Sequence, residues 1–299
     1  MNRAVPEKTE ILLRYGDLAA LPGFRVLRFD GGGAAEGFSS VSIDSRTVRP
    51  GALFAALAGS EADGHAFVAG AFLRGAAAAL VDETKIARYD LENAARKSGA
   101  VLVALGDTLW GLQEAARVYL ARFPRLLKIA VTGSSGKTTV KEIAAAMIGA
   151  EKNVFFNEGN LNSETGLPLS VFGVRSFHEA GVFEMGMNRR GEIAALARVL
   201  EPHIALITNI GPAHIGYIGS IAAIVEEKKA VFSRFTGTET ALVPEDEPYR
   251  EDLARGVRGN VVYYGPRSLE DLGDVFDRGL DGAEITWEGV SAPFSLPGK

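Results

Sequence analysis

The chain has no cysteine, which excludes a disulfide framework, a thiol nucleophile and a cysteine-ligated metal. Any metal must be held by oxygen and nitrogen. Positive charge is not in excess either: 32 Lys and Arg against 37 Asp and Glu give a formal net charge of -5, leaving no basic footprint for nucleic acid. The opening stretch, MNRAVPEKTEILLRYGDLAA, has no apolar core of signal-peptide length, and no uninterrupted apolar run approaches a membrane span. A cytoplasmic location without membrane insertion is the expectation. There is no internal repeat and no low-complexity tract; GGGAAEG at residues 31–37 reads as a loop.

What is present is enough for one large or two ordinary domains, with 299 residues of which 47% are hydrophobic. From Val41 to Glu83, short apolar runs alternate with polar turns: VSI before DSRTVRPG, ALFAAL before AGSEADGH, then a helix-like AFVAGAFLRG and a strand-like AAAALV. This is the pattern of a small α/β unit, taken to span residues 1–104. GDTLWGLQEAARVYLARFP follows, with Leu109, Leu112, Ala116, Leu120 and Phe123 at helical spacing and Pro124 beyond its end. It reads as the joint with a second domain, 105–299.

In that second domain LLKIAVTG, AGVFEMG and HIALITNIG each run into a glycine turn, with helix-compatible segments between them. Alternating strands and helices imply an α/β fold with a mainly parallel sheet covered by helices, its ligands at the carboxyl ends of the strands. Residues 236–299 are less periodic, with short strand candidates at TALVP, NVVYYG and EITWEG.

The first of those turns, TGSSGKTT, carries Gly133, Ser134, Ser135, Gly136, Lys137, Thr138 and Thr139. Strand, glycine turn, Lys-Thr and helix form a phosphate-binding context, in which backbone N–H groups and a helix N-terminus face phosphate oxygens. Val140, Ile143, Ala144, Met147 and Ile148 supply the apolar stripe of the helix. Lys137 would balance β/γ-phosphate charge and the Thr138 hydroxyl would ligate Mg²⁺. An ordinary glycine turn with a solvated lysine is the bland alternative. Val131 stands where the general P-loop has its first glycine, and no NKxD-like guanine reader is present, which argues against switch GTPases. Nor can G-x-G-x-x-G be read, which disfavours a dinucleotide fold.

Glu184 in VFEMG ends an apolar strand beside that loop and could hold Mg²⁺. Asn209 and His214 in TNIGPAH follow the next strand on the same sheet edge, unlike His65, His178 and His203. In SIAAIVEEKKAVFSRF, after a Ser220 N-cap, Lys228 falls near the centre of a face made by Ile221, Ile224, Val225, Val231, Phe232 and Phe235. An ammonium there must snorkel, pair, lose its proton or be chemically changed.

Together TGSSGKTT, GNLNSETGLP, EMG, TNIGPAHIGYIGS and the lysine fourteen residues after that histidine resemble the Mur ligases, the ATP-dependent amide ligases of peptidoglycan synthesis. DSRTVRPGALFAALAG and DGHAF extend the resemblance towards the N-terminus, so that it covers most of the chain. GNLN and GPAH are closest to the branch that adds D-Ala-D-Ala to UDP-N-acetylmuramoyl tripeptide. The resemblance implies ATP at Lys137, one Mg²⁺ at Thr138 and Glu184, and a second at His214 and a carbamylated Lys228. Asn160 and Asn162 would lie near the nucleotide-sugar and phosphate-transfer region, and Asp44, Ser45 and Arg46 would hold the uridine diphosphate end. It further implies an acyl-phosphate mechanism, with Lys137, His214 and Lys228 as the catalytic set, and a monomer.

The resemblance also leads to the expectation of a third, C-terminal domain and an HNxxN-like segment, which this sequence does not reach, so that the 299 residues alone would not complete the reaction. Two alternatives stay open. A sister ligase adding a diamino acid usually has Asp before the metal histidine, where this chain has Ala213; a nucleotide-dependent switch or binding module would have no ligase activity.

Overall fold

The computed structural model describes residues 10–29, 36–265, 272–278, 282–287 and 289–294. Residues 31–35 of the glycine-rich run, Glu288 and residues 295–299 lie outside them. Near the N-terminus, β1 (Leu13–Arg14) pairs antiparallel with β3 (Gly37–Phe38), with α1 (Tyr15–Ala19) and β2 (Arg25–Leu27) between them in the chain. The first main sheet joins β2 to β4 (Ser40–Ser42), β5 (Ala52–Ala55), β6 (Ala78–Asp82) and β7 (Val101–Leu105) in the order β2-β7-β6-β5-β4. β4 to β7 are parallel and β2 is an antiparallel edge strand. Buried apolar residues run continuously along β5 and β7, as a sheet covered on both faces requires. α2 (Val68–Leu73) and α3 (Leu91–Ser98) pack against each other, and their apolar residues join those of β5 to β7 in one core cluster.

His65 is built into this sheet. Its Nε2 accepts the Asp82 N–H at 2.8 Å and its Nδ1 lies 2.6 Å from Asp63 Oδ1. The Asp63 carboxylate also receives Lys85 Nζ at 2.8 Å and the Tyr89 hydroxyl at 3.2 Å. Burial alone would raise the Asp63 carboxyl, but Lys85 and His65 outweigh it and hold the group well below the usual range. The imidazole thus ties a loop to β6.

α4 (Thr108–Ala121) starts at Asp107, whose Oδ1 accepts the N–H groups of Leu109 and Trp110, a standard N-cap. It packs on β5 and β6 on one side, and on α6 (Gly166–Val171) and α7 (Glu192–Leu200) of the second sheet's layer on the other. Leu112, Ala115, Ala116, Tyr119 and Leu120 are buried in a core that both sheets share. Burying a leucine of this kind contributes about 1.5–3 kcal/mol. The Tyr119 hydroxyl donates to Val174 O at 2.6 Å, and Arg198 of α7 pairs with Glu114 and donates to Gln113 Oε1 at 2.9 Å.

The second sheet is wholly parallel. It contains β8 (Leu127–Thr132), β9 (Val154–Phe156), β10 (Ala180–Glu184), β11 (Ile204–Ile207), β12 (Thr240–Pro244) and β13 (Asn260–Tyr264), ordered β13-β12-β11-β8-β10-β9. The chain leaves β8, reaches the edge at β9, returns to β10 beside β8, then crosses to β11 on the other flank. β8 is therefore the switch point, and the crevice beyond its carboxyl end is where open α/β sheets take ligands. β14 (Leu272–Asp277), β15 (Ala283–Trp287) and β16 (Val290–Phe294) form a separate antiparallel sheet.

α5 (Lys137–Gly149) departs from the expected stripe at one position. Met147 is 71% exposed, while the fully buried positions are Lys141 and Ala145. Val140, Ala144 and Ile148 still pack on β8 and β10 through Ile129, Val131 and Val182. The helix turns the 141/145 line to the sheet and leaves Met147 on its outer side.

Candidate active site

Three strand ends converge beyond β8. Val131 is an ordinary buried strand residue, paired with Glu184 of β10 on one side and Leu206 of β11 on the other. The tight loop begins only at Gly133, whose φ is +149° and where an added Cβ would meet Thr208 Oγ1 at 1.8 Å. Gly136 is left-handed at φ +76° and caps α5, a conformation glycine adopts without steric cost. The N–H groups of Lys137, Thr138 and Thr139 head the helix and so have no acceptor within it.

The loop is shaped from the β11 side. Asn209 accepts the Ser135 N–H at 3.0 Å through Oδ1, returns Nδ2–H to Ser135 O at 3.1 Å, and accepts Ser134 N–H at 3.0 Å on its backbone carbonyl. Thr208 Oγ1 donates to Ser135 O at 2.6 Å, and Ser134 Oγ accepts the Gly211 N–H at 2.8 Å. The sequence places Asn209 at the site, but its role as a loop clamp, and Thr208's share in it, depend on β11 lying beside β8.

Lys137 Nζ lies on the loop's own carbonyls, 3.0 Å from Gly133 O and 3.4 Å from Ser134 O. Thr138 Oγ1 donates to Glu184 Oε2 at 2.7 Å, and Asn162 Nδ2 donates to Glu184 Oε1 at 2.6 Å. Glu184 is 2% exposed. The loop lysine, the hydroxyl, the carboxylate and one asparagine of GNLN thus form a single constellation, while Asn160 is exposed, its side chain without a hydrogen bond among the described residues.

Lys228 reaches the same place from α9 (Ile221–Lys229), a helix capped by Ser220, whose Oγ accepts the Ala223 N–H at 3.2 Å. A 3₁₀ turn at Ala230–Phe232 continues it. The ammonium does not snorkel: Lys228 is 2% exposed and donates to Gly133 O at 2.7 Å. Burial first, and then the Lys137 charge, lower its pKa to about 7 against a smaller opposing pull from Glu227. His214 begins α8 (Ile215–Ile218) in a left-handed conformation at φ +65°, exposed on the same edge of the sheet.

Asp44, Ser45 and Arg46 lie apart from this group, in the turn after β4. Arg46 donates to both carboxylate oxygens of Asp44, at 2.9 and 2.7 Å, and holds that carboxyl down at about 2. They line an open cleft of about 690 Å³ with Ile43, Phe67 and Arg74.

Two buried residues here were invisible to motif reading. Asn157 and Lys141 are 0% and 1% exposed; Asn157 bonds to the Glu184 backbone, and Lys141 reaches it only through Asn157 O. The one available signal for Lys141 is its position four residues after Lys137, which puts both on one face of α5.

Comparison with known proteins gives this geometry a family. The model described as Mur ligase middle domain matches residues 131–299, and the one described as Mur ligase family, catalytic domain, matches residues 37–111. The chain belongs to the Mur ligase family. Among curated Mur ligases it is similar to UDP-N-acetylmuramoyl-tripeptide--D-alanyl-D-alanine ligase of Treponema pallidum, 45% identical over 96% of this chain and 62% of that protein. The enzyme of the same description from Bacillus subtilis is 34% identical over 86% of this chain and 54% of that protein. The chain thus spans about half to three-fifths of the length of these relatives.

Solved structures agree. MurF from Acinetobacter baumannii superposes with a TM-score of 0.74 at 27% identity, covering 87% of this chain and 55% of that one. MurF ligase from Thermotoga maritima, a complex with ADP, gives 0.71 at 30% identity, covering 87% and 58%.

Proposed function

We propose that this Mur ligase chain provides the nucleotide-binding and UDP-substrate-binding parts of the cytoplasmic, monomeric ligase that joins D-Ala-D-Ala to UDP-N-acetylmuramoyl tripeptide at the expense of ATP. The observation that carries this reading is the convergence of a helix-heading phosphate loop, a carboxylate bonded to the loop threonine and a buried lysine on one loop carbonyl. The names of the relatives supply the substrate pair.

In this reading the N–H groups of Lys137, Thr138 and Thr139 receive phosphate oxygens. Lys137, which now satisfies two loop carbonyls, swings onto the transferring phosphate and balances its charge. Thr138, Glu184, His214 and Lys228 offer oxygen and nitrogen donors suited to Mg²⁺, once Lys228 carries a carboxylate. The fit is chemical: Glu184 is buried with Oε2 on the loop threonine and Oε1 on Asn162, and of the four residues Lys228 alone needs modification to become a ligand. A neutral Lys228 amine adds to CO2, forming an N–C bond and releasing a proton, and burial that lowers its pKa to about 7 makes neutral amine available. Mg²⁺, up to two ions, would neutralise charge on the phosphoryl group when bound.

The tripeptide's terminal carboxylate oxygen then attacks the γ-phosphorus, the β–γ P–O bond breaks, and ADP and an acyl phosphate result. The D-Ala-D-Ala amine attacks the acyl carbon, loses a proton and expels inorganic phosphate. Such chemistry needs positioning and charge neutralisation more than covalent help from the protein. Asp44, Ser45 and Arg46, which line a cleft beside the first sheet, would take the uridine diphosphate end.

Calorimetry on the chain tests this. We expect Mg²⁺-dependent ATP binding that Lys137→Met abolishes and Arg46→Ala spares, and UDP-muramoyl-tripeptide binding that Arg46→Ala weakens. Failure of the wild-type chain to bind either ligand would overturn the assignment.

A further inference from the structure

Behind Glu184 stand two buried polar residues, Asn157 and Lys141, that no motif accounts for. β9 pairs with β10 only as far as Phe156 opposite Val182. Beyond that point the backbone of Glu184 would have nothing on its outer side, since Val131 on β8 serves Met185, whose N–H donates to Val131 O at 2.8 Å. The Asn157 side chain fills the gap. Its Oδ1 accepts the Glu184 N–H at 2.8 Å and its Nδ2 donates to Glu184 O at 3.2 Å, so the amide stands in for one more rung of strand. The same Nδ2 donates to Leu161 O at 2.7 Å, which ties the GNLN loop to the strand end.

That loop is fastened again one residue later. Asn162 O accepts the Gly186 N–H at 2.8 Å while Asn162 Nδ2 holds Glu184 Oε1 at 2.6 Å. Gly186 sits close against this side chain: a Cβ there would lie 3.1 Å from Asn162 Cγ, so Asn162 would have to shift by a few tenths of an ångström. Asn157 in turn is held by Lys141, whose Nζ donates to Asn157 O at 2.8 Å. Its other contacts are weak: Glu142 at 3.9 Å, on a mostly exposed side chain, and the Phe156 ring at 5.7 Å. A buried ammonium with three donors and one good acceptor is expensive to keep. Its one close bond runs to Asn157, directly behind the site's carboxylate.

We infer that Lys141 and Asn157 are positioning residues for metal-assisted nucleotide binding: they fix the backbone of Glu184 and the loop bearing Asn162, and thereby the aim of the Glu184 carboxylate at Thr138. The inference rests on the reading of this site as a Mg²⁺–nucleotide site. Partners that orient a metal-binding carboxylate in this way typically change metal affinity by about 10–100-fold when removed. Both side chains are buried and bond to Asn157 O, Leu161 O and the Glu184 backbone, not to the phosphate loop, so metal-free nucleotide affinity is set elsewhere, by the loop N–H groups and Lys137.

The test measures binding of a fluorescent ATP analogue to the 299-residue chain as a function of Mg²⁺, alongside thermal unfolding. Asn157→Ala and Lys141→Met are each expected to raise the half-saturating Mg²⁺ about tenfold, with metal-free nucleotide affinity changed less than about twofold. Lys141→Arg, which can still donate to Asn157 O, should recover most of the Mg²⁺ response. Lys141→Met should unfold no more than a few degrees from the parent chain, since it removes a buried charge along with the bond. If both variants lose thermal stability while the Mg²⁺ midpoint stays at the wild-type value, the pair is structural only and the inference fails. If the wild-type chain binds nucleotide without any response to Mg²⁺, the reading of the site and the inference fall together.

Discussion

Replacing Gly133 by alanine strikes the loop at its tightest point. The new Cβ would sit 1.8 Å from Thr208 Oγ1 and 3.0 Å from both Thr208 Cβ and Thr208 N, at a φ of +149° that L-residues rarely adopt. The hydroxyl must move by more than 1 Å, roughly, to reach ordinary van der Waals separation, which breaks its 2.6 Å bond to Ser135 O. Backbone strain of about 1–3 kcal/mol and the lost hydrogen bond, about 1 kcal/mol, sum to about 2–4 kcal/mol. For a domain of this size the melting temperature should fall by about 5–15 °C. Nucleotide affinity should fall with it, because Gly133 O is the shared acceptor of Lys137 and Lys228. Thr208→Ala in the same chain removes the 1.8 Å contact but leaves the strained φ. The double variant should therefore regain part of the loss, with a coupling of about 1–2 kcal/mol in a double-mutant cycle. A Gly133→Ala chain that melts within about 1 °C of the parent and binds nucleotide normally would refute the steric reasoning.

Three further outcomes follow from named groups. Lys137→Met should weaken ATP binding at least tenfold while leaving the melting temperature nearly unchanged, since Lys137 bonds only to its own loop; equilibrium binding and thermal unfolding check this. Lys228 keeps its proton up to pH 10.5 when unfolded but only to about 7 when folded, so the unfolded chain binds more protons in that window and stability should rise with pH across it. Denaturant titrations of unmodified protein at pH 7 and 9 should show the rise, and Lys228→Met should flatten it. Desolvation would raise Glu239, but the N–H groups of Gly237 and Thr236 outweigh it and hold the carboxyl at about 2 against an ordinary 4.5. The stability it contributes should be present above pH 4.5 and lost as the pH falls towards 2, and Glu239→Gln should lack that acid-dependent loss in a pH-dependent unfolding series.

Much of this was legible because local patterns and packing agree. β8, β10 and β11 are apolar runs that end in glycine turns, and Thr108–Ala121 is helical with Asp107 as its cap. Lys228 stood out because its neighbours at helical spacing are apolar, and the structure buries it. The remainder depends on contacts between segments distant in sequence. β9 is three residues long and reads as nothing until β10 lies beside it. Asn157 looks like a loop asparagine because its partners, the N–H and C=O of Glu184, are 27 positions away. Lys141 was hidden by the opposite error: Met147 fits the apolar stripe better, yet the buried line of α5 passes through a lysine. Asn160, implied only by resemblance, and His214, marked by its place after an apolar strand, are both exposed on the site's edge.

The proposed function is ligation of D-Ala-D-Ala to the muramoyl tripeptide, with the ATP and UDP-substrate sites on this chain. Its most direct measurement is inorganic phosphate release from ATP by the protein as its gene encodes it, with each acceptor omitted in turn. Release is expected to require both UDP-N-acetylmuramoyl tripeptide and D-Ala-D-Ala and to be lost in Lys137→Met and Lys228→Met. Release that is indifferent to the tripeptide, or that occurs equally with a free diamino acid in place of D-Ala-D-Ala, would contradict it.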